Sequence, residues 1–567
     1  MAWWSSHEPV TGASTRPYGE IMISDPAEVL IVGAGPTGLA LALQLAAFGV
    51  RPRLIDRNTE RVHESRALAI QPRTLEVLTG LGVTESLVAA GNRAVQLCMH
   101  VRHRVLTVPM FDLGLDDTSY PYLLFLSQAE TERILEQRLT AAGVSVERGV
   151  ELTGLNNAAD PAVATLRHPD GHEEVISTRY VAGCDGAHST VRRLAGIRFE
   201  GRSYPQTFVL ADAEADSIEP GAAHVFLSGH GMLFFFPLGR PASWRLLVMR
   251  PHTDPTPPDA PVTLDEVQAL ADTYTDGSVR LRDPVWMTNF RLQHRAAAHY
   301  RAGPVFLAGD AAHIHSPAGA QGMNTGIQDA INLGWKLAHT LRGATAALPD
   351  TYEPERAPIG RAVLRFTDRA FTIATSTTPI VRFARTRIAP LVMQLALKAT
   401  TGRAYAFRTV SQLNIRYRHS PLSIDGPDAP RRGPKAGDRL PDAPVIDNGH
   451  PTTLHAAMAA PGWHLVLCGP TATRPEEMAQ THDRYRGLLI AHHLSSQQTP
   501  GVLHDATGKA LGRLGLEPQD TALYLLRPDG HIGYRAGQSG GTELPRYLDC
   551  WLPADQPRRR GSAQRDR

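Results

Sequence analysis

A chain of 567 residues exceeds what one hydrophobic core ordinarily organises, so two or three domains are expected. Its 58 Lys and Arg nearly balance 56 Asp and Glu, a balance that gives no field to draw nucleic acid or an anionic membrane and leaves a small molecule as the expected partner. The four cysteines (Cys98, Cys184, Cys468, Cys550) have no metal-ligand or C-x-x-C spacing, which excludes a disulfide scaffold and suits a reducing compartment, the cytoplasm. The longest apolar stretch, residues 39–50, is interrupted by Gln44 and Gly49 and is too short to span a bilayer.

Residues 1–25 carry no apolar signal core and read as a loose extension. From residue 26 to about 200, short apolar strands alternate with amphipathic helices, the pattern of a nucleotide-binding α/β domain. It opens on EVLIVGAGPTG (residues 28–38), a strand, a tight turn and a helix start. Gly33 permits the turn, Gly35 lets the backbone approach a pyrophosphate, and Gly38 lets helix and strand touch. Pro36 and Thr37 begin the helix, whose positive end and free N–H groups face an anion. A second strand, 53–56, ends in Asp56, which stands where a ribose-binding carboxylate is needed; Arg57 follows it. A further strand leads into Cys184-Asp185-Gly186.

Residues 201–294 change character. Alternating runs at 207–213, 223–227, 232–237 and 244–250 predict a largely antiparallel sheet, the substrate-facing layer. At 304–308 the chain returns to the first domain, which is therefore discontinuous (26–200 and 295–350). Gly309-Asp310 follows that strand and places a carboxylate where ligands of open α/β sheets bind. Taken alone, Asp310 reads better as a helix cap, through Ala311 and Ala312. The Gly-rich loop that follows, from Pro317 through Gly322, Met323 and Asn324, opens onto a helix with a clear apolar face over 329–341, and shifts that balance toward a ribityl hydroxyl. Such a loop would set backbone N–H groups and a helix dipole against the pyrimidine edge of a flavin. The ordered set of segments points to FAD.

Beyond this, 351–424 shows helical periodicity (Ile380, Val381, Ile388, Leu391, Leu395, Leu397), interrupted at Pro379 and Pro390. Residues 425–444 are rich in Pro, Gly and charge and predict a linker. A third domain is expected over 445–555, with strands at 463–467 and 522–526, the latter turning at Pro528-Asp529-Gly530 into a hairpin. Residues 556–567 are a basic tail.

The segments GAGPTG, RALAIQPRTLEVL (66–78), Gln128, CDGAHSTVRR and LAGDAAHIHSPAGAQGMNTGIQDAINLGWKLA together resemble the FAD-dependent aromatic hydroxylases, the single-component flavoprotein monooxygenases. The resemblance is to the branch of phenol hydroxylase, aromatic polyketide hydroxylases and rifampicin monooxygenase, and covers residues 25 to 552. It implies a Rossmann-like FAD domain, an inserted β-sheet substrate domain, a helical segment and a C-terminal thioredoxin-like domain. It also implies that NADPH or NADH reduces FAD, that O2 adds at flavin C4a, and that the hydroperoxide hydroxylates an aromatic ring. Arg66 would lie beside the flavin and Pro317 in the catalytic loop. Gln128 would lie near the ribityl chain, Asp185 in the segment shared by FAD and NAD(P)H, and Asp310 on the ribityl group, while Met323 and Asn324 would offer backbone contacts to the ring. The family usually has Glu at Asp56 and Gly at Ala320. No second Gly-rich motif marks a nicotinamide site. The same chemistry could instead give a Baeyer–Villiger or epoxidation product, and a flavin-binding interaction protein without turnover is a rival from another class. Likeness to polyketide-tailoring members favours a polycyclic phenolic substrate.

Three features carry blander readings. Cys468-Gly469-Pro470 follows a strand as a redox dithiol would, but the second Cys is missing, which leaves a structural or homodimer-supporting role for that domain. His313 and His315 have no third or fourth ligand nearby and read as flavin-loop or cavity histidines rather than a metal site. Phe234, Phe235, Phe236 and Trp244 are either core or, for one or two of them, a substrate wall.

Overall fold

The computed structural model describes residues 22–23, 27–61, 67–94, 96–101, 104–109, 115–228, 231–239, 242–250, 254, 256–257, 260–315, 320–375, 378, 407–470, 481 and 483–553. The fold is mixed α/β. Its cofactor-type sheet runs Val146–Arg148, Arg53–Asp56, Ala27–Val32, the end of Glu173–Gly183 and Val305–Leu307, all parallel. Buried on both faces, the first strand reads as a continuous apolar run, and Val29, Leu30 and Ile31 are fully enclosed. The start of Glu173–Gly183 pairs antiparallel with Ala162–Arg167, extending the sheet as a meander. Met22–Ile23 pairs with Glu174 and Val175, so the end of the expected loose extension is a strand.

The inserted sheet is ordered His313–Ile314, Arg280–Ala297, Phe199–Asp216, Trp244–Met249, Met232–Pro237, Ala222–Leu227, Gln96–Val101 and Arg104–Pro109. The last two strands come from far upstream of residue 201. The contact Gln96–Val101 makes with Ala222–Leu227 is parallel in a sheet otherwise antiparallel. Helix Leu264–Thr275, absent from the strand-only reading of 201–294, covers one face; its start is a capping box between Thr263 and Glu266. Side-chain alternation then divides the sheet. Phe235, Trp244, Leu246 and Val248 pack with Val267 and Leu270 beneath that helix, whereas Phe234 and Phe236 join a cluster with Phe208, Leu247 and Met249 on the other face.

Helix Tyr352–Thr375 begins the helical segment, and residues 380–397 lie outside the described residues. Residues 425–444 correct the linker reading. They form little regular structure, yet Leu440 and Ala443 are buried and Arg439 donates to both oxygens of Glu76, each at 2.7 Å. Pro and Gly deny this stretch a helix, but its charged side chains find partners on the first domain. The C-terminal sheet centres on Trp463–Cys468, parallel to Leu489–Ser495 and antiparallel to Ala522–Leu526, which forms a hairpin with Ile532–Gly537. Among the described residues no helix is long and apolar enough to cross a membrane.

Candidate cofactor and substrate site

The turn after the first strand is shaped by what it must avoid. Gly33 has φ +104°, and a Cβ there would sit 2.4 Å from the Cys184 carbonyl oxygen, so the turn packs directly on the Cys184-Asp185 backbone. A Cβ on Gly38 would meet the Gly33 carbonyl at 1.9 Å. Gly35 differs: beyond its chain neighbours, its Cβ position meets one atom of the described residues within 4 Å, Glu132 Oε1 at 4.0 Å, which leaves room for a ligand to approach the backbone. Helix Pro36–Ala47 has no side-chain cap and no acidic residue in its first turn, so its amide end is open to an anion.

Helix Gly322–Leu341 also begins without a side-chain cap or an acidic residue in its first turn. The two helix starts meet: Thr37 Oγ1 stands 2.5 Å from a Cβ position on Gly309 and 2.4 Å from one on Gly326. Thr37 is thus wedged among the phosphate turn, the Gly309-Asp310 turn and the long helix. Gly309 has φ +62°, Asp310 directly after it is exposed, and Met323 in the first turn of the long helix is buried. Asn324 ties the helix start to the Ala69–Ile70 strand, accepting from Gln71 N and donating to the Ala69 and Ala320 carbonyls, each at 2.8 Å. His315 Cε1 lies 3.5 Å from a Cβ position on Gly322, beside the same helix start.

Other sequence candidates are engaged by the protein itself. Asp56 accepts from Ala34 N (2.7 Å) and Asn58 N (2.9 Å), bracing the glycine turn against the second strand. Arg57 is exposed next to it. Asp185 accepts from Ser189 Oγ, Thr190 N and Val191 N, so its carboxylate caps its own short helix, Thr190–Leu194, although burial raises its pKa. Gln128 donates from Nε2 to Glu132 Oε1 (2.8 Å), and its backbone N–H donates to Ala67 O (3.1 Å). Arg66 and Pro317 lie outside the described residues.

Two polar arrangements were not legible in the sequence. Asp329, fully buried, accepts from Gly309 N (3.1 Å) and His313 Nε2 (2.7 Å) on one oxygen and from Arg356 Nε (2.6 Å) on the other. This carboxylate pins the Gly309 turn to the long helix and makes His313 a buried structural donor. Among the described residues no group of His, Cys, Asp or Glu could hold a metal. Arg245, on the sheet face away from helix Leu264–Thr275, grips Asp212 through two 2.6 Å bonds and donates to Ala67 O at 3.0 Å. The sheet is thereby tied to the segment preceding Leu68 and Ala69. Phe236 stacks on Phe125 of the first domain (centroids 5.8 Å apart) and on Phe234 (5.5 Å), so these two rings face the cofactor domain while Phe235 and Trp244 are core. Ala320 holds φ +52°, a left-handed conformation that suits glycine better. Cys468 is buried and its thiol is pushed up by burial, which makes it a poor nucleophile.

The residues therefore fit a dinucleotide flavin. An open glycine cradle sits at one uncapped helix start, the long helix with its own uncapped start adjoins it at Thr37, and the exposed Asp310 follows the Gly309 turn that Thr37 touches. Comparison with known proteins agrees. The family described as FAD binding domain matches residues 26–367. The chain is similar to 6-methylpretetramide 4-monooxygenase of Streptomyces rimosus, at 34% identity over 94% of this chain and 95% of that protein. It is similar in structure to an anhydrotetracycline hydroxylase from Streptomyces rimosus (TM-score 0.74, 30% identity, covering 94% of this chain and 100% of that one). It is also similar to an aklavinone-11 hydroxylase solved in a ternary complex with FAD and aklavinone (TM-score 0.75, 26% identity, 93% and 99% covered).

Proposed function

Because the chain belongs to the FAD binding domain family and to its aromatic monooxygenases, we propose that it uses NADPH or NADH, FAD and O2 to hydroxylate a polycyclic phenolic small molecule. The observation that carries this reading is the junction of two uncapped helix starts at Thr37, together with a sheet face bearing Phe234 and Phe236 that packs on Phe125 in one cluster with Ala320. Bound FAD would supply hydride acceptance and the activation of O2. The glycine turn and the start of helix Pro36–Ala47 would hold the diphosphate, with Asp56 and Arg57 toward the ribose and Gln128, Gly309 and Asp310 toward the ribityl chain. The N–H groups of Gly322, Met323 and Asn324 would stabilise negative charge on the pyrimidine edge. Phe234 and Phe236 would form an apolar wall that orients a flat substrate and excludes water. Arg66 and Pro317 are proposed as catalytic by the resemblance, and Asp185 as a structural support of the shared segment.

The test is a screen of flat phenolic compounds for acceleration of NADPH consumption, with isotopically labelled O2 and the oxygenated product located by mass and NMR. Label on an aromatic carbon is expected; label in a new ester or epoxide would replace hydroxylation by those outcomes. A chain that retains no FAD, or one that no aromatic compound stimulates, overturns the proposal. Asp310→Ala should be purified depleted of flavin, and full yellow occupancy would remove Asp310 from the site.

A further inference from the structure

We propose that Glu132 is a cofactor-binding residue that holds the FAD diphosphate through its protonated carboxyl, so that binding the cofactor takes up a proton. The inference rests on the FAD reading above. Helix Gln128–Ala141 projects Glu132 toward the glycine turn, where, chain neighbours of Gly35 aside, Oε1 is the one heavy atom of the described residues within 4 Å of the Gly35 Cβ position, at 4.0 Å. That is the face through which a pyrophosphate approaches. The residue is 6% exposed, and Gln128 Nε2 is its hydrogen-bond partner among the described residues.

Among the described residues the charged groups around it do not neutralise it. Asp56 and Glu136 add negative charge, and the nearby cation, Arg148, is held by Glu136 at 3.0 and 3.1 Å. Burial outweighs the opposing Gln128 hydrogen bond and Arg148 charge and, with smaller help from Asp56 and Glu136, pushes the carboxyl up to about 7. The open start of helix Pro36–Ala47 favours one anion at this place, and a carboxylate beside a diphosphate would set like charges together. A neutral carboxyl removes that repulsion and donates an O–H to a phosphate oxygen. The proton comes from solvent, and no bond of the cofactor changes.

The experiment titrates the flavin-depleted full chain with FAD between about pH 6 and pH 9, following flavin fluorescence, and measures proton uptake calorimetrically in buffers of different ionisation enthalpy. The wild type should bind with a Kd that is flat in acid and rises toward tenfold per pH unit above neutrality, with uptake approaching one proton per FAD. Glu132→Gln should flatten the profile, abolish the uptake and bind FAD roughly ten- to a hundredfold tighter than the wild type at the alkaline end. A pH-independent wild-type Kd without uptake, or an unchanged slope in Glu132→Gln, overturns the assignment while leaving the FAD reading intact. If the variant fails to fold, the wild-type proton uptake decides alone. Absence of FAD binding at every pH overturns the proposed function and this inference with it.

Discussion

Asp329→Asn isolates what the buried carboxylate beneath the cofactor turn contributes. The wild-type side chain accepts from three donors, Arg356 Nε, His313 Nε2 and Gly309 N, and is fully buried with Arg356. An amide of the same shape keeps one acceptor oxygen and turns the other position into a donor facing a donor. Either Arg356 or the His313 and Gly309 pair is then lost, and among the described residues the buried guanidinium keeps Tyr417 Oη and the Thr325 carbonyl, at 2.8 and 3.1 Å. Breaking a buried pair by removing one charge costs about 3–5 kcal/mol. At roughly 2–4 °C per kcal/mol for a domain of this size, the flavin-depleted chain should melt roughly 6–20 °C lower at neutral pH. FAD should dissociate faster, because the Gly309 turn loses its anchor. The sign in acid is also set. Burial raises the Asp329 pKa, but Arg356 and His313 overcome it and hold the carboxyl below its ordinary range. Its contribution is therefore complete above the unfolded value of about 4 and is lost as pH falls through the lower folded value. The gap between wild type and variant should be full at neutral pH and shrink in acid. Thermal melts across pH with FAD retention as a second readout decide the matter. A variant within about 2 °C of wild type at neutral pH, with unchanged flavin retention, would refute the reasoning.

Arg527→Met removes the cation that joins the C-terminal hairpin to the helical segment, where Arg527 donates to both Glu355 oxygens at 2.7 Å and to Asp529 at 2.6 Å. A loss of about 3 kcal/mol and faster proteolytic release of the C-terminal domain are expected, and unchanged protease resistance would count against this clamp. Phe234→Ala and Phe236→Ala should raise KM and the fraction of NADPH spent without product, whereas Phe235→Ala should lower Tm by the equivalent of about 3–5 kcal/mol with KM unchanged; the reverse pattern would exchange wall and core. Ala320→Gly relieves a left-handed alanine at φ +52° and should raise stability by about 0.5–1 kcal/mol, measurable as a higher urea midpoint.

The parts of this protein that the linear chain reveals are those whose physics is local. Gly33, Gly35 and Gly38 serve a turn, an approach and a helix contact within eleven residues of strand, loop and helix, and the Asp56 position follows from one βαβ repeat. The strand at 232–237 is equally readable, and so is the local capping-box signal of Thr263 and Glu266, which marks a helix within a segment whose alternation otherwise predicts a largely antiparallel sheet. What the tertiary structure alone decided is where polar side chains find their partners. Asp185 reads as a cofactor ligand but caps its own helix. Residues 425–444 read as a linker because Pro and Gly exclude regular structure, yet Arg439 finds Glu76 across 363 positions of chain. Asp329 and Glu132 each sit on an ordinary helical repeat that gives no sign of Gly309 or Gly35. A turn is encoded by the dihedral preferences of its own residues, whereas a buried charge is tolerated only through a counterpart that the folded chain brings to it from elsewhere.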